Sequence, residues 1–185
     1  MRYCAVALAA LLLSPSGWAE QAPQERPVYG WVEKIKIMPL GAIVAAKLDS
    51  GALTSSMHAT DIEYFERDGE EWVRFRIEVE DKQSKEPVSE VFERQLVRDQ
   101  TVRGAGGSDE RPVVMLEICA GNEVYREQFA LRDREQMNYP ALLGRRTIQH
   151  LGLLDVTATF LVEPACESDA RAPARRPRQG DIGNA

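Results

Sequence analysis

The chain has 185 residues and a formal net charge of −6, with 29 Asp and Glu against 23 Lys and Arg. That length suits one domain with its own core and hardly two, and 44% apolar with 28% charged residues fits a soluble globular chain. The acidic balance argues against nucleic acid or an anionic membrane surface as a partner.

Residues 1–19 read as a signal peptide. Arg2 supplies the positive start, and Ala5 to Leu13 is an apolar run too short to span a bilayer. Ser14-Pro15-Ser16-Gly17 breaks the run, and small residues around Ala19 offer a cleavage point. The expectation is export through the inner membrane to the periplasm, with an uncleaved amino-terminal anchor as the alternative. Cys4 leaves with the leader. No later run is long and apolar enough for stable membrane insertion. Residues 20–28, polar and carrying Pro23 and Pro27, read as a linker.

A domain over 29–163 follows. Tyr29 to Met38 separates Val32, Ile35 and Ile37 by Glu33, Lys34 and Lys36, as a strand with one irregular step does. Pro39-Leu40-Gly41 turns the chain into a second strand, Ala42 to Leu48, which ends at Asp49 and turns on Ser50 and Gly51. Ile62 to Glu66 and Trp72 to Val79 flank Asp68-Gly69, a strong hairpin signal. Val73, Phe75, Ile77 and Val79 lie on one face of the second arm. After a charged turn from Asp81 to Pro87, Val88 to Val97 is a further strand, and Gly104-Ala105-Gly106-Gly107-Ser108 is the most flexible stretch of the mature chain. Val113 to Cys119 and Glu123 to Leu131 form a second hairpin about Gly121-Asn122. Arg145 to Leu151 is a short helix with Ile148 and Leu151 inward and Gly152 as its stop. Leu154 to Val162 is the last strand. Residues 164–185, rich in Arg and Pro, read as a disordered tail. Many short strands with one short helix make an all-β barrel the economical architecture. Cys119 and Cys166 remain after export, either bridged or free; sequence does not set their separation.

Two stretches carry the chemistry: Leu48-Asp49-Ser50-Gly51-Ala52-Leu53-Thr54-Ser55 after the second strand, and Tyr139-Pro140-Ala141-Leu142-Leu143-Gly144-Arg145-Arg146 before the helix. Asp-Ser-Gly alone is common, and an Asp there is as a rule a turn residue bonded to its own backbone. Together the two stretches resemble the retropepsin-like aspartic peptidases. The longer Leu48 to Ala59 stretch resembles a bacterial branch that carries the name ATP-dependent zinc protease. The resemblance covers roughly Gly30 to Val162. It implies an acid-protease topology, a closed β-barrel with one short C-terminal helix.

It also implies roles. Asp49 would be catalytic. Peptide hydrolysis of this kind needs two carboxylates sharing a proton, because like charges about 3 Å apart cannot both ionise. The chain has a single Asp-Ser-Gly, so the partner would be Asp49 of a second copy in a homodimer. Ser50 would brace the paired loops, Gly51 would let the backbones approach, and Ala52 would leave room for a peptide or protein substrate. Gly144 would let the helix turn pack beneath the loop. Arg145 resembles the family's buried, dimer-supporting arginine. Gly104, Ala105, Gly106 and Gly107 would form a flap tip, or else a plain loop. The branch's name draws attention to His58, which with Asp49 and Asp61 could offer metal ligands. A lone His is more often structural, so no metal and no cofactor are expected. No phosphate loop is present; the branch's ATP link implies association with an ATP-grasp ligase system. Three functions follow: an aspartic peptidase-like hydrolase, a peptide-binding module of the same fold, and a zinc-dependent hydrolase.

Overall fold

A computed structural model describes residues 26–104 and 107–166. The leader, residues 20–25 of the linker, Ala105, Gly106 and residues 167–185 lie outside these described residues. Ten strands form one sheet: β1 (Val28–Met38), β2 (Ile43–Asp49), β3 (Ser55–His58), β4 (Thr60–Arg67), β5 (Glu70–Glu80), β6 (Pro87–Gly104), β7 (Gly107–Ala120), β8 (Glu123–Arg132), β9 (Ala141–Gly144) and β10 (Leu153–Thr159). The helix α1 covers Arg145–Leu151, as its apolar spacing predicts. The strand order is β10-β1-β2-β9-β3-β8-β7-β6-β5-β4. β1 also pairs with β7, through Lys36, Ile37 and Met38, so six strands make a ring of pairings. This ring, with β10 flanking one side and β4, β5 and much of β6 continuing beyond it, stands where a closed barrel was expected.

The core runs through the ring strands and on into β5 and β6. Ile35, Ile37, Val44, Met57, Phe75, Ile77, Ile118, Phe129 and Leu143 are fully buried, each stabilising by roughly 1.5–3 kcal/mol relative to exposure. Phe75 stacks on Phe92 at a centroid distance of 5.6 Å. The Asp-Gly hairpin forms as its chemistry demands. Asp68 and Gly69 both take positive φ, 55° and 78°, the geometry of a two-residue turn that follows the strand twist.

Several elements differ from the sequence expectation. β3 and β9 carry no readable period, being four residues each, yet β9 sits between β2 and β3 in the ring. β6 runs to Gly104 rather than Val97, pairing with β5 over its first half and, past an irregular step at Leu96 to Arg98, with β7 over its second. Its second half is polar and gives no hydrophobic alternation. Glu33, on the same face of β1 as Ile35 and Ile37, is buried with them; its carboxylate accepts the backbone N–H groups of Gly30, Leu161 and Val162 at 2.6, 2.9 and 3.2 Å. The last strand stops at Thr159, because Phe160 turns at φ 55° and the following backbone bonds to Glu33 instead of a strand. Cys119 and Cys166 are bridged, with Cα atoms 6.0 Å apart. Beside them the Ala165 N–H donates to the Gly121 carbonyl at 2.6 Å. Residues 164–166, expected in the tail, are thus held to the β7–β8 turn.

Candidate active site

Asp49 closes β2 and Gly144 closes β9, and the two are register partners. Both motif stretches therefore end at the same level of the sheet. Beyond Asp49 the chain turns tightly, with the Ala52 N–H donating to the Asp49 carbonyl at 3.2 Å and the Gly51 N–H to Asp49 Oδ1 at 2.9 Å. Lys47 Nζ donates to Asp49 Oδ2 at 3.0 Å. The Lys47 hydrogen bond, helped by the Gly51 N–H and opposed by partial burial, holds the Asp49 carboxyl below the usual carboxylate range. In the single chain, Asp49 is an ionised, half-buried carboxylate.

The first turn of α1 clasps the loop. The Arg145 N–H donates to the Ala52 carbonyl at 2.8 Å and the Arg146 N–H to the Leu53 carbonyl at 3.3 Å. A Cβ at Gly144 would lie 2.7 Å from the Thr54 carbonyl carbon and 2.8 Å from its oxygen. Only a residue without a side chain permits this approach of two backbones. The Arg145 guanidinium donates to the Ser50 carbonyl at 3.4 Å. The side chain is exposed, where the resemblance implies a buried arginine.

Beneath the loop runs a polar chain that no local sequence signal marks. The Gly144 N–H donates to Ser55 Oγ at 3.0 Å, and Ser55 Oγ lies 2.7 Å from Thr147 Oγ1. Thr147 donates to Glu127 Oε2 at 3.4 Å, and Glu127 Oε1 lies 2.6 Å from His150 Nδ1. Burial pushes the Glu127 carboxyl up, against the lowering effect of His150. On the other flank, Arg98 of β6 donates to Thr54 Oγ1 at 3.1 Å, so the stem of the β6–β7 hairpin meets the Asp49 loop.

The remaining candidates are placed elsewhere. Gly104 and Gly107 are register partners at the end of that hairpin; Ala105 and Gly106 lie outside the described residues. His58 is buried, and its Nδ1 accepts the Arg134 N–H at 2.9 Å. With Met57 opposite Ala141, His58 falls opposite residue 140, four residues from Gly144 and about 13 Å along the strand. Asp61 is ion-paired with Arg76 at 2.9 Å. Asp49, His58 and Asp61 are therefore not brought together. Asp49, Ser50, Gly51, Ala52, Gly144 and Arg145 are. The assembled group is one ordered carboxylate on a braced turn.

Comparison with known proteins bears on the fold and the family. The model of the RimB-like family, described as retropepsin-like aspartic endopeptidase RimB, matches residues 28–165. A probable alpha-L-glutamate ligase of Shewanella pealeana is 33% identical over 118 residues, 63% of this chain and 25% of the relative. One of Parasynechococcus marenigrum is 34% identical over 113 residues, 60% and 24% respectively. The chain thus spans about a quarter of the length of these curated relatives. Among solved structures, a Legionella pneumophila protein of unknown function aligns with a TM-score of 0.63 and 31% identity, covering 74% of this chain and 98% of that one.

Proposed function

The chain belongs to the RimB-like family of retropepsin-like aspartic endopeptidases, and from that premise we propose that it hydrolyses peptide bonds through Asp49 paired with Asp49 of a second copy. The observation that carries the reading is the register of Asp49 with Gly144: it sets one carboxylate at the end of a strand, on a turn fixed by Gly51 and by the first turn of α1. Shared between two such carboxylates, one proton lets one group activate water while the other protonates the substrate carbonyl. Ser50, Gly51 and Ala52 would face the mate loop and the substrate.

Homodimer formation has support at the same end of the sheet. Val32 stands opposite Lys47, so Gly30 and its partner Asp155 on β10 lie at the Asp49 end. β10 is a sheet edge, and Leu153, Val156 and Phe160 along and just beyond it are exposed, a surface that a two-fold mate would cover. The Cys119–Cys166 bridge suits a chain exported to the periplasm, since oxidising compartments preserve disulfides. The ligase name of the relatives fits a role beside an ATP-grasp ligase system, on peptides such a system makes or modifies.

A peptide-binding module is the second reading, favoured by one observation: Lys47 neutralises Asp49 in the single chain, as a structural carboxylate would be neutralised. The deciding experiment is cleavage of an unbiased peptide mixture by the purified chain and by Asp49→Ala, from acidic to neutral pH, with and without chelator. We expect cleavage that Asp49→Ala abolishes and chelator leaves intact. A folded, dimeric wild type that cleaves nothing would favour the binding module, and chelator-sensitive cleavage would favour a zinc-dependent hydrolase.

A further inference from the structure

One flank of β1 is shared by two strands that leave a gap between them. β2 takes one edge of β1 from Val32 to Lys36. On the other edge β10 pairs as far as Val32, and β7 pairs from Lys36 to Met38. A strap formed by residues 160–166 runs past the stretch between. The Phe160 N–H donates to the Val32 carbonyl at 2.8 Å. The Leu161 and Val162 N–H groups donate to the two oxygens of Glu33, and Lys34 pairs with Glu163 at 2.6 Å. Lys36 Nζ donates to the Cys166 carbonyl at 3.3 Å. The strap ends in the Cys119–Cys166 bridge, and Cys119 is the register partner of Lys36, at one end of the pairing that closes the ring. Glu33 couples the strap to β10: the oxygen that accepts the Leu161 N–H also accepts that of Gly30, which pairs with Asp155 of β10. A buried carboxylate that loses two of its three donors is costly, so the strap and this part of β1 hold or part together.

We infer that the Cys119–Cys166 bridge is a redox-set clasp on this strap: closed, it keeps the β10 edge ordered at the Asp49 end; open, it frees residues 160–166 and loosens that edge. The local release rests on the strap alone. Its consequence for assembly rests on the homodimer reading, in which the mate covers β10. Opening is thiol–disulfide exchange. A dithiol attacks one bridge sulfur through its thiolate and then closes to its own cyclic disulfide, releasing Cys119 and Cys166 as thiols; two electrons and two protons pass from the reagent to the bridge. Closing is the reverse, with the disulfide of an oxidoreductase as oxidant. Once the strap is free, β10 keeps only its short pairing with β1, which is interrupted by an irregular step between Gly30 and Val32. The chain then assembles its site only where the bridge can form.

The test compares the bridged chain with the same chain reduced by dithiothreitol, and with Cys166→Ser kept under dithiothreitol so that Cys119 cannot join two chains. Both sulfurs are buried, so the variant opens the clasp even where the bridge resists the reagent. Alkylation counts the thiols, amide hydrogen exchange reads the strap, and sedimentation reads assembly. Opening should speed exchange at Gly30, Leu161, Val162 and Ala165, whose N–H groups the strap contacts engage, by about 10-fold or more, while Phe75 and Ile77 of β5 keep their rates. The dimer should weaken by about 10-fold or more. Coupling is reciprocal, so the bridge should resist glutathione more strongly as rising chain concentration carries the chain into dimer. A bridge that only stabilises each chain would show no such dependence. Strap amides that stay protected in both the reduced chain and Cys166→Ser overturn the clasp. So does a loss of protection that spreads through β5, because that is global unfolding. A freed strap with an unchanged dimer overturns the link to assembly. A bridged chain that is monomeric removes the homodimer reading, and the exchange rates then decide the clasp by themselves.

Discussion

At the scale of single residues, the account turns on how Asp49 and Gly144 are held. Lys47 is the main cause of the low Asp49 carboxyl pKa. Lys47→Met should therefore raise it, and a carboxyl-carbon titration of Asp49 would follow the move. The sign for stability follows: a carboxylate held low contributes above its unfolded pKa and loses that contribution as pH falls through the folded value. The variant should thus lose stability near neutrality and be less sensitive to acid. An unmoved titration would mean that the Lys47–Asp49 pair does not form in solution. Gly144→Ala tests the other anchor. Its Cβ would meet the Thr54 backbone at 2.7 Å, so strand or loop must shift, and a loss of about 1–3 kcal/mol is expected in denaturant unfolding. Wild-type stability in that variant would contradict the close approach of the two backbones.

At the scale of elements, Ser55, Thr147, Glu127 and His150 tie β3, α1 and β8 together under the site. Burial raises the Glu127 carboxyl, so folding favours its protonated form. That contribution is full below the ordinary carboxylate pKa and is lost as pH rises through the raised value. Glu127→Gln is neutral at every pH. The difference in thermal midpoint between wild type and variant should therefore shift against wild type as pH climbs from acid to neutral; a difference flat with pH would remove the buried-acid assignment. Little of this network was legible in the sequence. Glu127 reads as an ordinary polar position of an alternating strand, and its partners lie on two other elements. The hairpin at Asp68-Gly69 was legible because its turn chemistry is local, as was α1 from its spacing and the Gly152 stop. β3 and β9 were not, because four buried residues carry no period. What makes burial of the Glu33 carboxylate tolerable was not legible either: it depends on three backbone N–H groups, two of them from residues 161 and 162. The motif residues Asp49 and Gly144 were legible, but Lys47, Thr54 and Arg98 gained meaning only once the strands were placed.

At the scale of the whole molecule, one chain supplies one carboxylate and the proposed chemistry needs two. Two Asp49 groups on a two-fold axis would share a proton that neither isolated chain binds, since each carboxyl alone is held low. Assembly and protonation are then linked. The most direct test is sedimentation of wild type and Asp49→Asn across the acidic to neutral range. The account predicts that wild-type dimers tighten as pH falls, by up to about tenfold per pH unit where one proton is taken up, and that Asp49→Asn removes this slope. A chain that stays monomeric throughout, or a dimer whose pH dependence is the same with Asn at position 49, would contradict the pairing of Asp49 across two copies.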